Sequence, residues 1–216
     1  MAQIFPRYTN TLSRVTAVVA FGTVVAGLWL WSRIQRSPYT SEVRIAKEQP
    51  VPFSHRHHVG QLGIDCRYCH TGVETSATAG IPPTATCYNC HKLIWKDSPM
   101  LEPVRESYKS GKPLHWTRVH DLPDFVYFNH AAHINKGVGC TTCHGPIDRM
   151  PLTWQSGDLT MGWCLDCHRN PTPNLRPKDQ VTSVEWTPGP EQATVGAAFA
   201  KERDVRTLQS CSYCHR

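Results

Sequence analysis

Apolar and polar positions are distributed very differently in two parts of the chain. Residues 15–31, VTAVVAFGTVVAGLWLW, form an uncharged apolar run bracketed by Arg14 and Arg33. Such a run predicts one helix. At about 1.5 Å per residue it reaches the short limit for spanning a bilayer. It ends in Trp29 and Trp31, followed by Ser-Arg-Ile-Gln-Arg, which reads as an interfacial anchor rather than a small-residue cleavage site. After residue 40 no sustained helical or strand period appears, and prolines and glycines (17 and 14 in the whole chain) punctuate the sequence. The expectation there is short helices in irregular chain, with no protein-only core of ordinary size.

What replaces that core is written in the cysteines. All ten fall in the pattern C-x-x-C-H: Cys66/Cys69 with His70, Cys87/Cys90 with His91, Cys140/Cys143 with His144, Cys164/Cys167 with His168, and Cys211/Cys214 with His215. One copy could be a zinc half-site or a redox pair. Five copies with no cysteine left over match the attachment signal for c-type haem, in which two thiols bind the macrocycle and the adjacent His binds iron. A disulfide scaffold or a set of zinc sites would not require a His after every second Cys. The expected cofactors are therefore five haem c. Trp95, Trp116, Tyr127, Phe128, Trp154 and Trp163 are expected to pack against the porphyrin plates.

The motifs are spaced as two close pairs and a single. PFSHRHHVGQLGIDCRYCHTGVE aligns with YFNHAAHINKGVGCTTCHGPID, so Phe53, His55 and His58 recur 75 residues later as Phe128, His130 and His133. This reads as a duplicated two-haem module. Each iron with a proximal His has one open axial position, so the two histidines of F-x-H-x-x-H cannot serve one haem. Three apart on a helical turn they share a face and can enter different haems. His55, His58, His130 and His133 are thus the expected distal ligands of four haems. The fifth is assigned first to His120, with Met150 or Met161 as alternatives giving His/Met ligation. His57 and His115 are not expected to be ligands.

These patterns divide the chain into residues 1–14 (cytoplasmic N-terminus), 15–31 (transmembrane anchor), 32–50 (linker), 51–112 and 113–176 (two-haem modules) and 177–216 (fifth haem). Basic residues flank the apolar run on both sides and do not orient it. Haem attachment outside the cytoplasmic membrane does, placing the haem domain on the outer, periplasmic side of a single-pass protein. A net charge of +6 would suit nucleic acid, but five haems would add about ten propionate charges, so no nucleic-acid partner is expected.

F-x-H-x-x-H ahead of C-x-x-C-H resembles the class III multihaem cytochromes, the c3 and c7 group. The longer runs QPVPFSHRHHVGQLGIDCRYCHTGVE, AGIPPTATCYNCHKLIW, RVHDLPDFVYFNHAAHINKGVGCTTCHG and LTMGWCLDCHRNP are similar to the membrane-anchored pentahaem cytochrome c subunit of alternative complex III. Residues 177–210 carry little of that likeness. The resemblance implies an electron-transfer subunit without a catalytic site of its own. It would work beside a polytopic quinol-binding membrane subunit and an iron–sulfur subunit, delivering electrons to a monohaem cytochrome or another external acceptor. Two other readings stay open. A stand-alone membrane-anchored quinol dehydrogenase would begin its haem motifs sooner after the membrane segment. A multihaem reductase of a small substrate would need an open iron, often marked by C-x-x-C-K, whereas every motif here ends in His.

Overall fold

The structure is a computed structural model that describes residues 4–215. It divides into two compact units, one up to Val43 and one from Arg44 onwards. The first is dominated by a single helix, Tyr8–Gln35, which contains the apolar run and extends beyond it at both ends. Its best window has a mean hydropathy of 1.8, and none of that window is buried within the protein. At 28 residues the helix is about 42 Å long, enough to cross a bilayer by length and composition.

The second unit is a succession of short helices joined by turns. Among the described residues there is no sheet; isolated antiparallel bridges pair Ala46 with Trp154, Val126 with His215 and Val138 with Leu175. Several short helices start where a polar side chain satisfies an otherwise free backbone N–H. Asp65 accepts from Arg67 N at Cys66–Cys69, Asn129 from Ala132 N at His130–Asn135, and Thr160 from Trp163 N at Met161–Arg169. The helix Glu102–Ser110 stops at Gly111, whose φ of 70° is a left-handed conformation that glycine adopts without strain.

Protein-only packing is sparse. Val51, Leu101 and Val104 make one small cluster with Cys87, Leu114 and Trp116 around it, and Met150 and Leu175 are the largest fully buried side chains. Meanwhile Leu93, Ile94 and Trp95 beside one haem motif, and Phe125 and Tyr127 beside another, keep about half or more of their surface uncovered by protein. Apolar surface of that extent beside every other sign of a prosthetic group marks where a large apolar ligand packs.

Residues 172–204, beyond the last region with a readable pattern, form an ordered brace. Helix Gln192–Glu202 lies against Thr172–Asn174, where a Cβ on Gly196 would overlap the Thr172 carbonyl. The Gln192 amide donates to the Thr172 and Leu175 carbonyls at 3.0 and 2.7 Å.

Candidate functional site

No two of the ten cysteines form a disulfide. The histidines sort into pairs. His55 faces His70 with ring centroids 6.4 Å apart and planes 9° from parallel; His130 faces His144 at 6.4 Å and 12°. His58 and His91 lie 6.2 Å apart, and His133 and His168 lie 6.0 Å apart, with steeper mutual tilt. Two imidazoles bound trans to one metal through bonds of about 2 Å stand roughly 6 Å apart, centre to centre. All four pairs therefore fit an iron between their rings.

The second nitrogens support the same role. His70 Nδ1 lies 2.7 Å from Gly80 O, His58 Nδ1 2.9 Å from Ser54 O, and His91 Nδ1 3.1 Å from Ile94 O. His130 Nδ1 meets Ala77 O at 3.0 Å, His133 Nδ1 meets Asn129 O at 2.7 Å, and His215 Nδ1 meets Phe125 O at 3.2 Å. A carbonyl only accepts, so each of these Nδ1 atoms carries the proton and donates. Nε2 is left as a free lone pair, the tautomer a metal ligand needs. His55 Nδ1 instead meets the Thr153 hydroxyl at 2.9 Å. Burial holds several of these imidazoles neutral, with His55 lowered to about 4 and His144 to about 3.

Phenylalanine sets the spacing within each turn. Phe53 packs edge-on to His55 and stacks on His58, at 4.9 and 4.4 Å. Phe128 repeats this with His130 and His133 at 4.7 and 4.5 Å. The two rings of each turn are held apart and aimed at different partners.

The remaining candidates are placed differently. His120 lies beside His144, with ring centroids 4.4 Å apart in a T-shaped contact, too close for an iron between them. Its buried Nε2 has no hydrogen-bond partner. The ring beside His215 is that of Phe125, at 5.7 Å. Met150 is fully buried, and Met161 is 67% exposed, one turn ahead of Cys164 on helix Met161–Arg169. His57 bonds to Gln61 and stacks on Trp95 at 5.5 Å, and His115 is exposed.

The cysteines also adjoin across motifs. Cys66 and Cys140 lie close enough to influence each other electrostatically. Cys69 lies within electrostatic reach of Cys87, Cys143 of Cys164 and Cys167, and Cys164 of Cys214. In space the motifs run from Cys87/Cys90 to Cys66/Cys69, then Cys140/Cys143, Cys164/Cys167 and Cys211/Cys214.

Comparison with known proteins decides the family. A protein described as the multihaem cytochrome c subunit of menaquinone reductase, from Nitratidesulfovibrio vulgaris (strain Hildenborough), is 39% identical over 170 residues. The match covers 69% of this chain and 79% of that protein. The chain belongs to the multihaem cytochrome c family. Residues 126–216 of the cytochrome also match the family described as cytochrome c7 and related cytochrome c. C-type haem is thus the cofactor, and the helical, sheet-free architecture is that of a multihaem cytochrome with one N-terminal apolar helix. Sequence reasoning missed Thr153, Ala77, Arg176 and Thr182, because none belongs to a motif and each acts across a long sequence separation.

Proposed function

We propose that this cytochrome carries five haem c and serves as the electron-transfer subunit of a quinol-oxidising membrane complex of the alternative complex III type. One-electron exchange without ligand change is the chemistry that bis-imidazole haem supplies when bound. The observation that carries the reading is the set of four His–His pairs spaced for iron. His70, His91, His144, His168 and His215 act as proximal ligands, and His55, His58, His130 and His133 as distal ligands. The fifth distal position goes to Met161 rather than to His120, whose ring lies against His144; Met161 precedes Cys164 by one turn, and Cys164 is within electrostatic reach of Cys214. His/Met ligation would raise the potential of that terminal site. The two ends of the spatial order also hold the two exposed cysteines, Cys90 and Cys211, which suits exchange with partners at both ends.

The helix Tyr8–Gln35 anchors the protein as a single span, with the haem modules on the periplasmic side. Among the described residues no second helix is long and apolar enough to wall a quinol pocket with it. Quinol chemistry therefore belongs to a polytopic partner and an iron–sulfur subunit, with a monohaem cytochrome or other acceptor outside. The name of the relative favours a second reading, in which electrons enter from an external donor and run inward to menaquinone.

The test uses the full chain, alone and within its membrane complex. Alone it is reduced by a chemical reductant, passes electrons to a soluble cytochrome and is not reduced by a menaquinol analogue. In the complex the analogue reduces it, and an inhibitor of quinol oxidation blocks this. Rapid inhibitor-sensitive reduction of the chain alone would favour the stand-alone dehydrogenase. If only a reduced external cytochrome drives turnover, forming menaquinol, the inward direction holds.

A further inference from the structure

The two modules are related by a consistent offset, but one charged residue has no counterpart. Arg176 is 3% exposed, and its guanidinium sits at the start of the helix that carries Cys140 and Cys143. It donates to the Thr141 hydroxyl at 2.9 Å and to the carbonyls of Gln180 and Ser183 at 3.4 and 3.0 Å. A Cβ on Gly139 would overlap it, and it stacks over Trp186 at 4.4 Å. Among the described residues no carboxylate pairs with it, and its buried Nε is unpartnered. Neutral acceptors hold this cation in place without cancelling its charge.

The equivalent place in the first module is organised in the opposite way. Thr141 corresponds to Arg67, 74 residues earlier. Arg67 has a side chain 48% exposed and is bound by Asp65 at 2.9 Å and Glu74 at 3.5 Å. Its charge is neutralised and solvated. The two sites are joined, because Cys140 N donates to Val181 O at 3.0 Å while the Thr182 hydroxyl donates to Asp65 at 2.9 Å. Two adjoining motifs with matched imidazole pairs thus differ by one uncompensated buried charge.

We propose that Arg176 is a potential-setting residue, raising the reduction potential of the haem attached at Cys140 and Cys143 above that of its counterpart at Cys66 and Cys69. A fixed positive charge in a poorly polarisable interior disfavours the ferric centre, which carries one more positive charge than the ferrous. Burial and nearby charge are among the means by which a protein tunes haem. Arg176 also lies beside Cys140, one of the two cysteines that would hold the macrocycle by its thioether edge, the edge away from the propionates that would cancel its charge. The inference rests on the proposed haem at Cys140 and Cys143.

The test is a redox titration of the full-length, detergent-solubilised protein, followed by EPR. The relevant haem is identified as the one that loses its low-spin signal in His130→Ala. Arg176→Gln should lower that midpoint by about 59 mV, a tenfold change in the one-electron equilibrium. Arg176→Lys, which keeps the charge but not the fork, should retain most of the wild-type value. A midpoint unmoved in Arg176→Gln, or moved equally by Lys and Gln, overturns the proposal and leaves Arg176 a structural brace. If Arg176→Gln loads fewer haems, Gly139→Ala replaces it. The Gly139 backbone, at φ −74° and ψ 150°, suits alanine, and the added methyl pushes the guanidinium aside. It should lower the same midpoint, and an unmoved value there is equally fatal. Peptide mass mapping of the wild type, which assigns each haem to its cysteines, separates the underlying reading. Absence of haem from Cys140 and Cys143 would sink the attachment itself, whatever the midpoints.

Discussion

The histidine turns of the two modules reach the same geometry by different windings. Residues Arg56–Gln61 form a π-turn, in which Leu62 N donates to His57 O, whereas His130–Asn135 is an ordinary α-helical turn. Yet the Phe–His and His–His separations agree to within a few tenths of an ångström. The stacked Phe and the His Nδ1 bond to the carbonyl four residues back, at Ser54 and Asn129, are common to both. Those local constraints set ring placement, and the backbone accommodates them.

What differs is how each turn is braced, and the bracing is reciprocal. The first turn sits on the loop after the second module's first haem motif. There Arg56 N donates to Met150 O, His55 bonds to Thr153, and Gly60 abuts the Asp148 carbonyl. The second turn sits on the corresponding loop of the first module. Ala131 N donates to Ser76 O, His130 bonds to Ala77 O, and Asn135 donates to Glu74 O. Each turn is thus braced by the loop of the other half, much as two subunits brace each other across a two-fold axis.

This reciprocity can be broken from one side only. Gly60→Val drives a side chain into the Asp148 carbonyl and should cost roughly 1–3 kcal/mol. Asn135→Ala, at the equivalent position, loses one hydrogen bond, worth about 1 kcal/mol. Thermal unfolding followed at the haem absorption band should rank them in that order, and equal midpoints would deny the Gly60 contact. A smaller, local effect is expected from Thr153→Val. Without an acceptor, the His55 Nδ1–H polarises its ring less, and a less basic ligand favours ferric iron less. The midpoint of the haem at Cys66 and Cys69 should rise while that at Cys140 and Cys143 stays put. Movement of both together would mean that Thr153 acts on packing rather than on its histidine.

The C-x-x-C-H motifs and the paired histidines were legible in the sequence, because each motif is five consecutive residues and each F-x-H-x-x-H pair lies within one turn. The duplication was legible from the recurrence of Phe53, His55 and His58. Support from Thr153 and Ala77 was not, since it crosses between modules and uses a hydroxyl and a carbonyl that any sequence contains. Residues 177–210 carried no motif, yet Val181 and Thr182 join the two central motifs and Gln192 ties the brace to Leu175. The direction of the His120 ring, which lies beside His144, cannot be read from a count of histidines. The apolar run located the long N-terminal helix but underestimated its length, because flanking residues such as Thr11, Ser13 and Arg33 continue the winding without being hydrophobic.

Low-temperature EPR of His130→Ala, His133→Ala and the double variant tests most directly the claim that one turn joins two haems. All three should retain five covalently attached haems. Each single variant should convert one low-spin haem to high-spin, the two should convert different haems, and the double variant should convert both. Met161→Ala should convert a third, terminal haem that His120→Ala leaves unchanged. Conversion of the same haem by His130→Ala and His133→Ala, or an unchanged spectrum in both, would contradict the account.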